Sequence, residues 1–338
     1  MTEDQTPSAK PEHNSDAAGH AHGTKAIVAA FFANLGIAIA KFIGYAFTGA
    51  SSMLAEGIHS LADTSNQGLL IFGQRSGRRG PSKSHPFGYA RDRYFWAFVV
   101  SMVLFSVGGL FAMWEGTRKL FDPHEIENAW WAVGILLLGI VLEGWSFMTA
   151  VRESNKIRRN VSWAEFIRHS KSPELPVVLL EDFGALIGLV LALAGISLAV
   201  ITGNPVFDAL GTIAIGALLI VIAVVLAIEM RSLIIGEAAT PADRAAMDAA
   251  ILDSDDVLSI IHRRTQHLGP EHILLAVKVE FRHDMSTQEL ADAIDAAEVR
   301  VRAVVPAATD IYIEPDVNRA SPDDTAVPPQ DAVPPDAG

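Results

Sequence analysis

The 338-residue sequence contains no cysteine. Disulfides and thiolate metal sites are therefore excluded, and any metal bound here must be held by nitrogen and oxygen. There is no phosphate-cradling P-loop, no Gly-rich dinucleotide fingerprint and no nucleophile elbow. His124-Glu125 opens a His-Glu-x-x-His pattern whose second His never arrives. A transporter driven by its own ATP hydrolysis and an intramembrane zinc protease are both disfavoured. Residues 1–23 are polar and show no basic-then-apolar leader, so insertion is expected through the first apolar run.

What the chain has in abundance is apolar length. Half its residues are apolar and its mean hydropathy is positive. Crossing a hydrocarbon core about 30 Å thick takes about 20 such residues as a helix. Six runs meet that length, at 25–47, 51–73, 93–115, 129–151, 175–202 and 208–235. A large soluble helical bundle is the competing reading, but stretches such as LLIVIAVVLAI argue against it. The expectation is a membrane α-helical protein whose six-helix bundle spans 24–235.

Basic residues are distributed unevenly among the connections. Arg75, Arg78, Arg79, Lys83, Arg91 and Arg93 follow the second run, and Arg152, Lys156, Arg158, Arg159, Arg168 and Lys171 follow the fourth. The connections after the first and fifth carry none, and that after the third only Arg118 and Lys119. Basic loops stay cytoplasmic, so both termini are expected there. The net charge of −13 arises in the segments on either side of the apolar runs and argues against nucleic-acid binding.

The second run reads SSMLAEGIHSLADTSNQGLLIFG. His59 and Asp63 are four residues apart and share one helix face. An ionisable group at bilayer depth costs roughly 2.5–3.5 kcal/mol and is seldom left there without a role. Glu181-Asp182 lies inside the fifth run. Imidazole and carboxylates meeting in mid-membrane suit a divalent metal ion.

Residues 1–23 and 317–338 are rich in Pro, Asp and Ala and are expected to be disordered tails. His13, His20 and His22 in the first tail offer at most weak metal binding beside the reading of a solvated tail. Residues 236–316 form a soluble segment. Thr240-Pro241-Ala242-Asp243 opens a helix, two β-branched strands follow around a Gly-Pro turn, and Ser286-Thr287-Gln288-Glu289 is a capping box before a second helix. Asp310-Ile311-Tyr312-Ile313 reads as a last strand, giving an αββαβ order and a small α+β module.

Four stretches together resemble the cation diffusion facilitator family of zinc-transporter type. They are SSMLAEGIHSLADT, the loop His85-Pro86-Phe87-Gly88-Tyr89, the Asp208-Ala209-Leu210-Gly211-Thr212 opening of the sixth run, and the soluble end from Val257-Leu258-Ser259-Ile260-Ile261-His262 to Ile313-Glu314-Pro315. The resemblance covers about residues 24–316. It implies six spans, a ferredoxin-like (metallochaperone-like) cytoplasmic domain, a homodimer through 236–316, and export of divalent metal against inward protons. No tightly bound cofactor is implied; Zn²⁺, or Mn²⁺, Fe²⁺ or Co²⁺, is the cargo.

The family's fifth-span His-x-x-x-Asp falls here on Val178 and Asp182, so one imidazole is missing. The Leu-Glu-Asp variant looks like the zinc transporter 9-like branch and its bacterial relatives, which makes a bacterial plasma membrane the expected location. His59, Asp63 and Asp182 carry over as metal ligands. In the soluble domain His262 matches a family metal position, but the other usual ligands fall on Val277, Tyr312 and Glu314. That domain is expected to hold a dimer rather than to sense metal strongly, and Arg91-Asp92-Arg93 before the third run reads as charge pairing.

Each residue also has a plainer reading. His59 can be a buried histidine bonded to a neighbouring helix. Asp182 can pair with Lys41, the only Lys well inside an early span. Glu181 is a fourth ligand, a proton carrier or the partner of such a cation. Successive helix residues point about 100° apart, so Glu181 and Asp182 cannot both face one point undistorted. Glu56 is a weaker candidate, Asn34, Asn66 and Glu143 read as interhelical hydrogen-bonding groups, and the glycines of the first two spans as packing contacts.

Overall fold

The structure, a computed structural model, describes residues 34–123, 129–158 and 162–318. The start of the first run, the two terminal tails with their three histidines, and His124-Glu125 lie outside those residues.

In chain order the elements are α1 (Asn34–Thr48), α2 (Ser51–Gly77), α3 (Asp92–Val103), a π-helical segment (Leu104–Leu110), α4 (Phe111–Phe121), α5 (Ala129–Arg158), α6 (Trp163–His169), α7 (Glu174–Thr202) and α8 (Val206–Ile235). Then come α9 (Pro241–Leu252), β1 (Val257–Gly269), β2 (His272–Phe281), α10 (Thr287–Val304) and β3 (Ala308–Pro315). Among the described residues, four helices are long and apolar enough to cross a membrane: Asp92–Phe121, Ala129–Asn155, Glu174–Thr202 and Val206–Ile235. Two of the six expected spans fall outside that set for different reasons. The described part of the first is the shorter apolar helix α1. The second, α2, is 27 residues long, but Glu56, His59, Asp63, Asn66 and Gln67 and a series of Ser and Thr lower its hydropathy. Arg118 and Lys119, expected in a connection, sit inside α4.

The chain divides into two units. One takes in residues up to Leu69, Val103–Ala150 and Leu180–Ala223. Its helices approach closely where glycine replaces a side chain. A Cβ at Gly116 would come within 3.0 Å of the Ala209 carbonyl, and one at Gly195 within 3.0 Å of the Phe207 carbonyl. With no water in hydrocarbon, such packing and interhelical hydrogen bonds are what hold spans together. The corner between α1 and α2 is only Gly49-Ala50. Gly49 adopts φ +62°, a left-handed conformation that glycine enters without a Cβ penalty.

The other unit comprises Leu70–Met102, Val151–Leu179 and residues from Val224 onward. It contains a three-stranded sheet of order β1-β2-β3, with β1/β2 antiparallel and β2/β3 parallel. The parallel pair needs a crossover, and α10 supplies it. Along β2, Ile273, Leu275, Val277, Val279 and Phe281 are buried and their neighbours less so, the period-2 signature of a sheet with one covered face. That face packs on Met247 and Ile251 of α9 and Ala293 and Val301 of α10. Both helices start as their sequences require. Thr240 Oγ1 accepts from Asp243 N with Pro241 in the first turn. Ser286 and Glu289 form a reciprocal capping box.

Candidate metal centre

Along α2, Glu56, His59, Ser60, Asp63 and Asn66 recur at helical spacing and form one polar stripe, all of it buried. Polar groups on a membrane helix turn toward partners inside the bundle. The α2 stripe runs along α7 in the opposite direction. At one end a Cβ at Gly188 would collide with the Glu56 carboxylate. At the other, Asn66 Nδ2 donates to Glu181, whose carboxyl is also within hydrogen-bonding reach of Asp63.

His59 and Asp63 lie side by side, Nδ1 to Oδ1 3.4 Å. The ring of His59 is fully buried, and neither of its nitrogens has a hydrogen-bond partner among the described residues. Asp63 Oδ1, Asn66 Oδ1, Gln67 Oε1 and Glu56 Oε1 are likewise buried and unpartnered there. Buried polar atoms are nearly always satisfied, so this run of orphans along α2, opposite Glu181 of α7, makes the stripe a candidate ligand site. Two acids and an imidazole are the donor set a divalent cation requires. No group of three or more His, Asp or Glu is drawn together as a finished cage among the described residues.

The adjacent acids of α7 diverge, as helix geometry demands. Glu181 faces Asp63 and Asn66, whereas Asp182 accepts from Ser146 Oγ of α5 at 2.8 Å. Glu143 of α5 and Asp182 both act electrostatically on Asp63. Lys41, entertained above as a partner for Asp182, has other company. It is completely buried, with Nζ 3.1 Å from Glu56 Oε2 and 2.7 Å from Ser60 Oγ.

The π-helical segment brings a further residue to this place. Gly108 packs so that a Cβ on it would stand 4.0 Å from His59 Nδ1 and 3.2 Å from Leu219 Cδ1. The sequence signal was slight, a Gly108-Gly109 pair inside an apolar run.

A second polar network was missed altogether. Asp208, at the start of α8, is fully buried and takes the backbone N–H and the hydroxyl of both Ser51 and Ser52. Those residues open α2, so Asp208 caps that helix from another element. Lys119 lies 3.7 Å from its carboxylate and donates to the Gly49 carbonyl.

In the other unit, the loop His85-Pro86-Phe87-Gly88-Tyr89 walls a cavity of about 420 Å³ together with Asp92, Gln266 and Leu268. Asp92 accepts from Ser76, and Arg93 pairs with Glu174 at 2.7 Å. His262 lies opposite Lys278 in the β1/β2 register. Lys278 in turn bonds Asp316 and Glu314, which hold its ammonium above the usual lysine range.

Comparison with known proteins agrees with this geometry. A model of the cation efflux transmembrane domain matches residues 27–235, more than half of the chain. The mitochondrial proton-coupled zinc antiporter SLC30A9 of Xenopus laevis is 31% identical over 258 residues, covering 75% of this chain and 46% of that protein. Its Homo sapiens counterpart is 31% identical over 261 residues, covering 75% and 45%. Metal tolerance protein C4 of Arabidopsis thaliana is 27% identical over 269 residues, covering 79% and 59%. The chain thus spans less than half the length of the antiporters it matches. Taken with a multi-pass helical domain and a buried His/Asp/Glu cluster, these matches place the chain in the cation efflux (cation diffusion facilitator) family, which comprises transporters rather than enzymes.

Proposed function

We propose that this chain is a secondary active transporter that exports a divalent metal, Zn²⁺ first, from the cytoplasm in exchange for protons. The observation that carries the reading is the set of orphaned atoms on α2, at His59 and Asp63, facing the Glu181 carboxylate of α7, with Asp182 one position along. Several carboxylates desolvated together are costly, and a dication cancels most of that cost. Metal needs neutral imidazole and ionised carboxylates, so protons and metal compete for the same atoms. Imidazole, with an unperturbed pKa near 6.5, exchanges its proton in the physiological range. Metal loads from the cytoplasm, the bundle rocks to an outward state, protons displace the metal, and the protonated ligands return. The open cluster, short of a finished cage, fits a carrier that must release what it binds. The antiporters matched above are zinc antiporters by name, which supports zinc as cargo.

In this reading α1 and α2 complete a six-span bundle, the Lys/Arg-rich connections and both termini are cytoplasmic, and the membrane is a bacterial plasma membrane. Residues 236–316 form a ferredoxin-like domain through which two copies pair. Leu258 and Tyr312, exposed on β1 and β3, support such pairing. A set with one imidazole and several carboxylates also favours a second cargo, Mn²⁺, Fe²⁺ or Co²⁺.

Proteoliposomes loaded with a metal-sensitive dye test the transport. Uptake driven by a pH gradient and abolished in His59→Ala or Asp63→Ala is expected. Vesicles that move no divalent ion under any gradient would leave the cluster a purely structural one, and competition between Zn²⁺ and Mn²⁺ ranks the cargoes.

A further inference from the structure

The π-helical segment interrupts an otherwise α-helical stretch. α3 and α4 are regular on either side of it, and a π turn widens a helix by one residue per turn at the cost of poorer hydrogen bonding. Such turns are rare and concentrate at functional sites. Here the turn sets two consecutive glycines against two different neighbours. Gly109 packs on α8, where a Cβ would meet Ile220 N at 3.2 Å. Gly108 also packs on α8, at Leu219, but in addition reaches the His59 imidazole. Leu219, itself buried, also reaches α7, where a Cβ on Gly184 would lie 3.6 Å from its Cδ2. Leu219 is therefore an apolar wall between Gly108 and the turn of α7 that follows Glu181 and Asp182.

We propose that Gly108 is a specificity-determining position of the transport site, its bare Cα reserving space on the Nδ1 edge of His59 for the outer ligands of the cargo ion. This rests on the transport reading above and adds to it what decides between cargoes. An ion on an imidazole nitrogen sits about 2.0–2.1 Å away, and its remaining ligands form a layer just beyond. A methyl group 4.0 Å from Nδ1 falls in that layer. Zn²⁺ is content with four ligands in a tetrahedron. Mn²⁺ prefers six oxygens, so crowding at this edge penalises it more. Glycine at 108 keeps the site roomy, and Leu219 sets how roomy.

The experiment compares pH-driven uptake of Zn²⁺ and of Mn²⁺ by proteoliposomes carrying wild type, Gly108→Ala, Gly109→Ala or Leu219→Ala. Gly108→Ala is expected to raise the Zn²⁺-to-Mn²⁺ ratio about tenfold, the discrimination one contact can supply. Leu219→Ala should move the ratio the other way, and the double variant should return toward wild type. Gly109→Ala, which disturbs only helix packing, should slow both metals alike. A ratio unchanged in Gly108→Ala, or a Gly109→Ala that shifts it equally, overturns the proposal. Should Gly108→Ala fail to fold, Leu219→Ala decides alone, an unaltered ratio being fatal. If wild type moves neither metal, the transport reading falls. Equilibrium binding of Zn²⁺ and Mn²⁺ to detergent-purified protein then decides on Gly108, an unchanged affinity ratio refuting its role.

Discussion

One helix carries two buried polar centres of opposite character. At its first residues, α2 hands the Ser51 and Ser52 donors to Asp208, with Lys119 nearby. Two to three turns later, His59 and Asp63 present nitrogens and an oxygen to which no hydrogen bond is made among the described residues. Both centres are in apolar surroundings and both use an aspartate. Leaving a buried polar group unpaired costs about 1–3 kcal/mol, more when it is charged. The first centre avoids that cost internally and therefore reads as architecture. The second accepts it, as the proposed ligand site would.

If that contrast holds, substitutions at the two centres should separate stability from activity. Asp208→Ala removes one partner from a buried charge and several helix-end donors, and should cost about 3–5 kcal/mol, read as a lowered melting temperature in detergent. His59→Ala and Asp63→Ala should leave the melting temperature nearly unchanged while uptake falls at least about a hundredfold, beyond the loss typical for groups that merely orient ligands. Equal destabilisation at both centres would erase the distinction. Between them stands the Lys41–Glu56 pair. Lys41→Met strands Glu56 and should destabilise by about 3 kcal/mol, and adding Glu56→Gln should recover most of it. A double variant as unstable as the single one would show that Lys41 acts through packing.

Smaller effects are expected in the soluble segment. Ser286→Ala breaks the capping box of α10 and should cost about 1 kcal/mol. The weakest effect is a pH slope. Burial, acting first, holds His267 below its ordinary 6.5 in the folded protein. The unfolded chain therefore binds the extra proton, and stability should decline as pH falls below 6.5 toward the lower folded value. His267→Gln should flatten that slope in urea titrations, with little change above 6.5.

Local chemistry was plain in the sequence. The i,i+4 pair His59/Asp63, the Thr240 cap with Pro241, the Ser286/Glu289 box and the alternation of β2 each lie within a few residues of chain, where spacing alone fixes the geometry. The divergence of Glu181 and Asp182 also follows from helical rotation. What stayed hidden depends on distant partners. Nothing within α8 says that Asp208 caps a helix 157 residues away in sequence. Lys41 had several acids within imaginable reach, and the α1–α2 register chose Glu56. Lys119 looked like a loop charge because α4 runs on past the apolar stretch and turns that ammonium inward. The π turn left only two glycines as a trace, since a backbone register shift is decided by packing on α8.

The hinge-free corner at Gly49 has a mechanical meaning. Thr48 Oγ1 takes the Ala50 N–H and Gly49 N bonds back to Tyr45, so two helices are riveted with no slack chain between them. If the proposed transport cycle moves either helix, that corner couples the two, so the Lys41 ammonium of one would travel with the His59 imidazole of the other.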